Sequence, residues 1–309
     1  MPDNICAEKV SRRNEVSDCS VNSGKIYFVE GDLNGKGTVK VMNADGADEK
    51  VLLSGDAVNE PDGIEVDEAS GKMYWTDMGL GGAADRSVAV DDGRIMRANI
   101  DGSEVETVVP LGKTTTPKQL TLDVAGGKVY WCDRGDVGDK SVNPKIMRVN
   151  FDGSDLETLI DQDLLSPVGI ALDVPNGKLY FTDRYANNIR RANLDGSYVE
   201  LVVQDTNYPV DLALDLKNRF MFWTGRQDGT VFRTPMDENN QDGSKIAPIV
   251  SGLSAPIGMG IDHKNDKIYY TEVFIKEHSG AIWRADLDGG NATKLRTTAL
   301  PLGLFFATA

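Results

Sequence analysis

Short runs of alternating apolar and polar residues fill this chain, and turn-forming residues break each run. In "KVYWCDRGD" (128–136), Val129, Tyr130 and Trp131 are β-branched or aromatic, and Asp133 and Gly135 end the run. Segments such as "PVGIALD" (167–173) and "VELVV" (199–203) have the same length and character, and few stretches carry a helical period. The pattern predicts an all-β protein built of short strands.

The runs recur in phase. A Tyr-Trp-Thr-Asp motif or a near variant stands at Tyr27–Glu30, Tyr74–Asp77, Tyr130–Asp133, Tyr180–Asp183, Phe222–Gly225 and Tyr269–Glu272. Each copy leads to a further strand and then to an Asp-Gly pair, at 45, 101, 152, 195, 242 and 288. Such pairs supply the positive φ angles of a tight hairpin turn. Another strand follows, and a segment of the "PVGIALD" type opens the next unit. Each unit is thus four short strands, and six units predict a six-bladed β-propeller of four antiparallel strands per blade. The first unit lacks its opening strand. The C-terminal "LPLGLFFATA" fits that role, with Pro301, Leu302 and Gly303 aligned on Pro167, Val168 and Gly169. The C-terminal strand therefore completes the first blade and closes the ring over residues 24–309, with residues 1–23 as an N-terminal extension.

With six in-phase copies over about nine-tenths of its length, the chain resembles the YWTD propellers, the class B repeats of the low-density-lipoprotein receptor family. As a stand-alone propeller it is also similar to fungal hetero-Diels–Alderases, which join a tropolone-derived quinone methide to a terpene olefin. This second likeness rests on overall architecture alone.

Spacing locates the site. From the Asp that ends the opening strand to the aromatic that starts the motif is always seven positions, as from Asp173 to Tyr180. From the motif to the Asp-Gly turn the count runs from 15 (Tyr180 to Asp195) to 27 (Tyr74 to Asp101). One face of the propeller is uniform and the other is elaborated, by segments 78–93, 134–144 and 273–280. Elaborated loops on a rigid scaffold carry function, so the site is expected on that face, over the central channel. The positions following the motif, Gly31, Met78, Arg134, Arg184, Arg226 and Val273, should ring its mouth. Three consecutive arginines there suit an anionic or enol-like oxygen, or else pair with motif carboxylates such as Asp133 and Asp183. The opening strands usually carry Gly at their third position (Gly63, Gly169, Gly258, Gly303), but Gln119 and Asp211 replace it in two blades. Asp62 and Lys118 stand one position earlier. Candidate catalytic residues are therefore Arg134, Arg184, Arg226, Asp211 and Asp62. Candidate substrate-binding residues are Lys118, Gln119, Met78, Tyr185, Phe274 and His278. Channel drift and structural pairing are the alternatives for the polar positions.

Composition narrows the chemistry. A net charge of -15 disfavours nucleic acid and anionic membranes, and no apolar run approaches the ~18 residues of a membrane span. With two histidines, His263 on the uniform face and His278 on the other, a histidine metal cluster is excluded and no metal or cofactor is expected. Cys6 and Cys19 form a plausible disulfide loop and Asn291-Ala292-Thr293 a sequon, which together lean towards a secretory compartment. Cys132 fills the threonine slot of the motif and reads as a small packed side chain, not a nucleophile. The expected partner of a monomeric protein is a small molecule, apolar with an oxygen-bearing head. The resemblances imply cofactor-independent cycloaddition, with a protein-binding propeller and a lactonase-like hydrolase as the alternatives.

Overall fold

The computed structural model describes residues 24–32, 35–79, 92–135, 143–237 and 240–308. The N-terminal extension with Cys6 and Cys19, and most of the segments 78–93 and 134–144, lie outside them.

Six four-stranded antiparallel sheets are arranged as blades. The innermost strands are Pro61–Asp67, Pro117–Asp123, Pro167–Asp173, Pro209–Asp215, Pro256–Asp262 and the C-terminal Leu300–Ala307. The motif strands come second in each blade: Lys25–Gly31, Lys72–Asp77, Lys128–Asp133, Lys178–Asp183, Phe220–Gly225 and Lys267–Phe274. The first blade is completed as expected, with Lys25 opposite Ala307, Ile26 opposite Phe306 and Phe28 opposite Leu304. Phe306 stacks on Tyr269 of the sixth blade at 5.0 Å.

The motif's alternation builds the core. Side chains on a strand point to opposite faces with period two. The first aromatic of each motif packs on the following blade and the second on the preceding one. Trp75 thus lies with Tyr27, Val29 and Val39 of the first blade, whereas Tyr74 joins Leu120, Val129 and Trp131 of the third. The core is therefore a set of blade-to-blade interfaces, not a single centre.

The remaining motif positions tie blades and loops together. Thr182 Oγ accepts the Gly169 amide (2.8 Å) and donates to the Val210 carbonyl of the next blade (2.8 Å). Thr224 and Thr271 repeat the bridge to Ile257 and Leu302. Cys132 also reaches the next blade, with Sγ 3.4 Å from the Gly169 carbonyl oxygen, one residue beyond the carbonyl equivalent to those the threonines use. It is fully buried, and burial pushes its thiol well above the ordinary range. A Cys132→Thr variant should keep or raise the melting temperature, and the native thiol should resist Ellman's reagent until the protein unfolds. Fast labelling of the folded protein would contradict this structural role.

The motif carboxylates cap the loop before the innermost strand. Asp133 accepts from the amides of Thr115 and Thr116 and from the Thr114 hydroxyl, and Asp183 from the amides of Leu165 and Ser166. In the Asp-Gly turns the glycine takes the expected positive φ but the aspartate does not, and Glu104 (φ +53°) supplies the second in a longer turn; Gly102 has φ +88°, and a Cβ there would lie 2.6 Å from the Leu52 carbonyl oxygen of the preceding blade. Segment 273–280 differs from the expected open loop. Its two strands extend the hairpin, pairing Val273 with Gly280 and Phe274 with Ser279 around a single turn of 3-10 helix, Ile275–Glu277.

Candidate functional site

The innermost strands converge at their third residues, and four glycines permit it. A Cβ on Gly63 would lie 2.8 Å from the Gln119 Cα, one on Gly169 2.8 Å from the Asp211 Cα, and one on Gly303 2.9 Å from the Gly63 Cα. Gln119 and Asp211 complete this ring. The Gln119 side chain reaches back across the waist, donating to the Asp62 carbonyl (3.2 Å) and carboxylate (3.3 Å). Asp211 accepts from the Leu212 and Met259 amides (2.9 and 3.0 Å), so it braces the fifth blade to the sixth.

Two chambers lie on either side of the waist, about 590 Å³ towards the elaborated face and about 570 Å³ towards the uniform one, with no lining residue in common. Size does not choose between them; charge does. The residues just before the waist, Asp62, Lys118, Val168, Val210, Ile257 and Leu302, all line the upper chamber, and all six positions that follow the motif line it too. Four cations stand there, Lys118, Arg134, Arg184 and Arg226, against Asp32, Glu60 and Asp62. The lower chamber has one cation, Lys217, beside the carboxyls of Glu65, Glu68 and Asp211, two of which burial holds towards the neutral form, with His263 at its wall.

A repeated hydrogen bond sets the upper ring. The backbone amide after the motif donates to the carbonyl preceding the proline of the innermost strand: Met78 to Glu60, Arg134 to Thr116, Arg184 to Ser166, Arg226 to Tyr208 and Val273 to Ala255. Arg184 is 6% exposed, and its guanidinium lies 4.9 and 5.0 Å from the ring centroids of Tyr185 and Tyr208. Among the described residues its Nε has no hydrogen-bond partner. It does not pair with the motif carboxylate Asp183, whose cationic neighbour is Arg190 at 3.9 Å. Burial raises the Tyr185 phenol, but the Arg184 charge, a hydrogen bond with Tyr208 and Arg134 outweigh it and hold the group below its usual value. Burial also depresses Arg226, and neighbouring Arg184 adds to the effect.

At the floor, Lys118 Nζ lies 3.2 Å from Asp62 Oδ1 and 2.9 Å from Met78 Sδ. Burial brings the amine down to about 8; Asp62 opposes this shift, and Arg134 and Arg184 add to it. Around the rest of the cup, Val168, Val210, Ile257 and Val273 form one apolar cluster with Leu300 and Leu302. The chamber therefore sets a group of cations beside an apolar wall.

The sequence-derived residues divide accordingly. Arg134, Arg184, Arg226, Asp62, Lys118, Met78, Tyr185 and His278 share the upper chamber. Gln119 and Asp211 line the lower one, so Asp211 is not at the mouth where it was expected. Phe274 lines neither and lies beneath Lys294, whose Nζ is 5.7 Å from its ring centroid. One step past channel-facing Val273, alternation turns Phe274 away. Tyr208, which sequence reasoning did not single out, is brought to the site.

In the lower chamber, burial raises the Asp211 carboxyl to about 8. Burial and the Asp211 charge likewise raise Glu65 well above the carboxylate range. Both groups keep protons in the folded protein at pH values where the unfolded chain has lost them. Their contribution to stability therefore falls as pH rises from about 4 towards about 8. Glu65→Gln should flatten the decline of melting temperature between pH 5 and 8; an unchanged slope would contradict the shift.

Comparison with known proteins accords with this architecture. Residues 127–174, a motif strand through to the next innermost strand, match the low-density lipoprotein receptor repeat class B. The chain is 28% identical over 268 residues to the low-density lipoprotein receptor-related protein 1 of Pyricularia oryzae, covering 81% of this chain and 70% of that protein. It is 25% identical over 172 residues to a human low-density lipoprotein receptor-related protein 5-like protein, covering 56% and 59%. A chain of a nidogen/laminin complex superposes with a TM-score of 0.71 at 20% identity, over 92% of this chain and 98% of that one. Among the described residues no helix is long and apolar enough to cross a membrane. The chain is a six-bladed β-propeller that carries a match to the low-density lipoprotein receptor repeat class B at residues 127–174 and is similar along most of its length to a low-density lipoprotein receptor-related protein.

Proposed function

We propose that the upper chamber binds a small molecule with an oxyanion or enol-like oxygen head and an apolar body, and that it promotes a hetero-Diels–Alder cycloaddition without a cofactor. The single observation that carries this reading is Arg184, nine-tenths buried with an orphaned Nε, facing the same chamber as Arg134 and Arg226. A buried donor left without a partner is costly, and a ligand oxygen would relieve that cost. The apolar side formed by Val210, Ile257 and Leu302 suits the body of the molecule.

Cycloaddition fits these means. It asks the protein to hold two apolar partners in a near-attack pose and to place fixed donors on the heterodiene oxygen as charge builds there. Arg134, Arg184 and Arg226 supply the donors, and Asp62 is placed to help expel water when the reactive heterodiene forms. The protein mixed with an ortho-quinone methide precursor and a terpene olefin should yield one enantiomer of the adduct in excess, faster than in buffer. Racemic adduct at the background rate would contradict the cycloaddition.

A protein-binding role has one observation in its favour, the likeness to the propeller of a nidogen/laminin complex. The exposed large apolar residues argue against it, because they belong to separate turns and strands: Val51, Leu111, Val124 and Tyr198 among them.

A further inference from the structure

Lys118 has no part in the chemistry above, yet its setting is that of a reactive amine. It lies at the floor of the upper chamber, 8% exposed, on the innermost strand of the third blade. Charged and titratable groups face the chamber from every side. Asp62 comes from the second blade's innermost strand, and Glu60 just precedes that strand. Arg134, Arg184 and Arg226 follow three successive motif strands, and Asp32 and His278 stand at the rim. Among the described residues, the partners of Nζ are one anionic contact at 3.2 Å and one thioether contact at 2.9 Å. Clustered cations and burial are the two means by which proteins make a lysine nucleophilic.

We propose that Lys118 condenses with the carbonyl group of an aldehyde or ketone that also carries an oxyanion, forming an imine in the upper chamber. The inference rests on the reading of the arginines as an oxyanion seat. The Nζ lone pair attacks the carbonyl carbon, and a C–N bond replaces the C–O π bond. The carbinolamine then loses its oxygen as water, which carries away the two protons of the neutral amine, and Asp62 is the adjacent group to relay one of them. No oxidant or reductant is consumed. Burial brings the Lys118 amine down to about 8, so far more of it is neutral near pH 7.5 than of an ordinary lysine.

Pyridoxal 5′-phosphate, an aldehyde with a phosphate, and butanal, a neutral aldehyde, make the test. Each is incubated with the full chain at pH 7.5, imines are fixed with borohydride, and labelled peptides are mapped by mass spectrometry. Lys118 should be the dominant pyridoxal site, labelled at least about tenfold faster than any other lysine. Lys118→Arg, which keeps the charge facing Asp62, should abolish that label. An Arg184→Ala/Arg226→Ala variant should slow pyridoxal labelling but not butanal labelling. Should equilibrium dialysis show that pyridoxal phosphate binds while Lys118 stays unmodified, the imine is refuted and the oxyanion seat survives. If both aldehydes label Lys118 at the same rate in every variant, the amine stands and the oxyanion seat fails.

Discussion

Deleting residues 305–309 is expected to abolish cooperative folding. The deletion removes the pairing of Lys25, Ile26 and Tyr27 with the C-terminal strand, and with it the Phe306–Tyr269 stack. Ile26 and Phe28, both fully buried, lose part of the cluster they share with Phe306. Truncating one such aromatic to Ala typically costs about 3–5 kcal/mol, and whole domains are stable by only about 5–15 kcal/mol. The ring would also expose part of a sheet edge, and of the strand that closes the first blade only Leu300–Leu304 would remain, paired with Phe28, Glu30 and Gly31. Thermal melts followed by circular dichroism should show a broad, non-cooperative loss of signal. Phe306→Ala alone should keep a sharp transition at lower temperature. A cooperatively melting truncation would refute closure by the C-terminal strand.

Replacing Asp62 by Ala is expected to cost about 3–5 kcal/mol, because it leaves Lys118 buried without its counter-ion. Gln119 would lose an acceptor at the waist in the same step. Adding Lys118→Met to that variant should recover most of the loss, since removing both charges removes the unpaired one. Urea unfolding at pH 7 measures the cycle. Costs that merely add would mean that the two side chains do not interact.

Much of the fold was legible because the repeat reports its own geometry. The Tyr-Trp alternation, the Asp-Gly turns and the third-position glycines each appear several times, so their common environment could be inferred from the sequence. The C-terminal "PLG" revealed the closing strand by the same logic. The ring of positions after the motif, and the polar deviants Asp62 and Lys118, were also readable as departures from a repeat. Their pairing was not, because it depends on the register between blades, which no spacing within a blade encodes. Asp211 was placed on the wrong side of the waist for the same reason: its carboxylate turns to the Met259 amide of the next blade. Tyr208 precedes Pro209, where the other blades carry Glu60, Thr116, Ser166, Ala255 and Leu300. An aromatic at that position was the available signal. Glu65 offered one as well. Two positions past the waist, the other blades place Thr121, Ala171, Ala213, Gly260 and Phe305 in the lower chamber, none of them charged.

The proposed seat for an oxyanion attached to an apolar body is formed by Arg134, Arg184 and Arg226 of the upper chamber. Fluorescence titration with anilinonaphthalene sulfonate, an aromatic anion, tests it most directly. The wild-type protein should bind the probe. Arg184→Ala/Arg226→Ala should bind it at least about thirtyfold more weakly at an unchanged melting temperature, since each charged hydrogen bond contributes about 1.5–3 kcal/mol. Lys217→Ala, in the lower chamber, should leave the affinity unchanged. Equal affinity in the wild-type protein and the double-arginine variant would mean that the arginines seat no oxyanion.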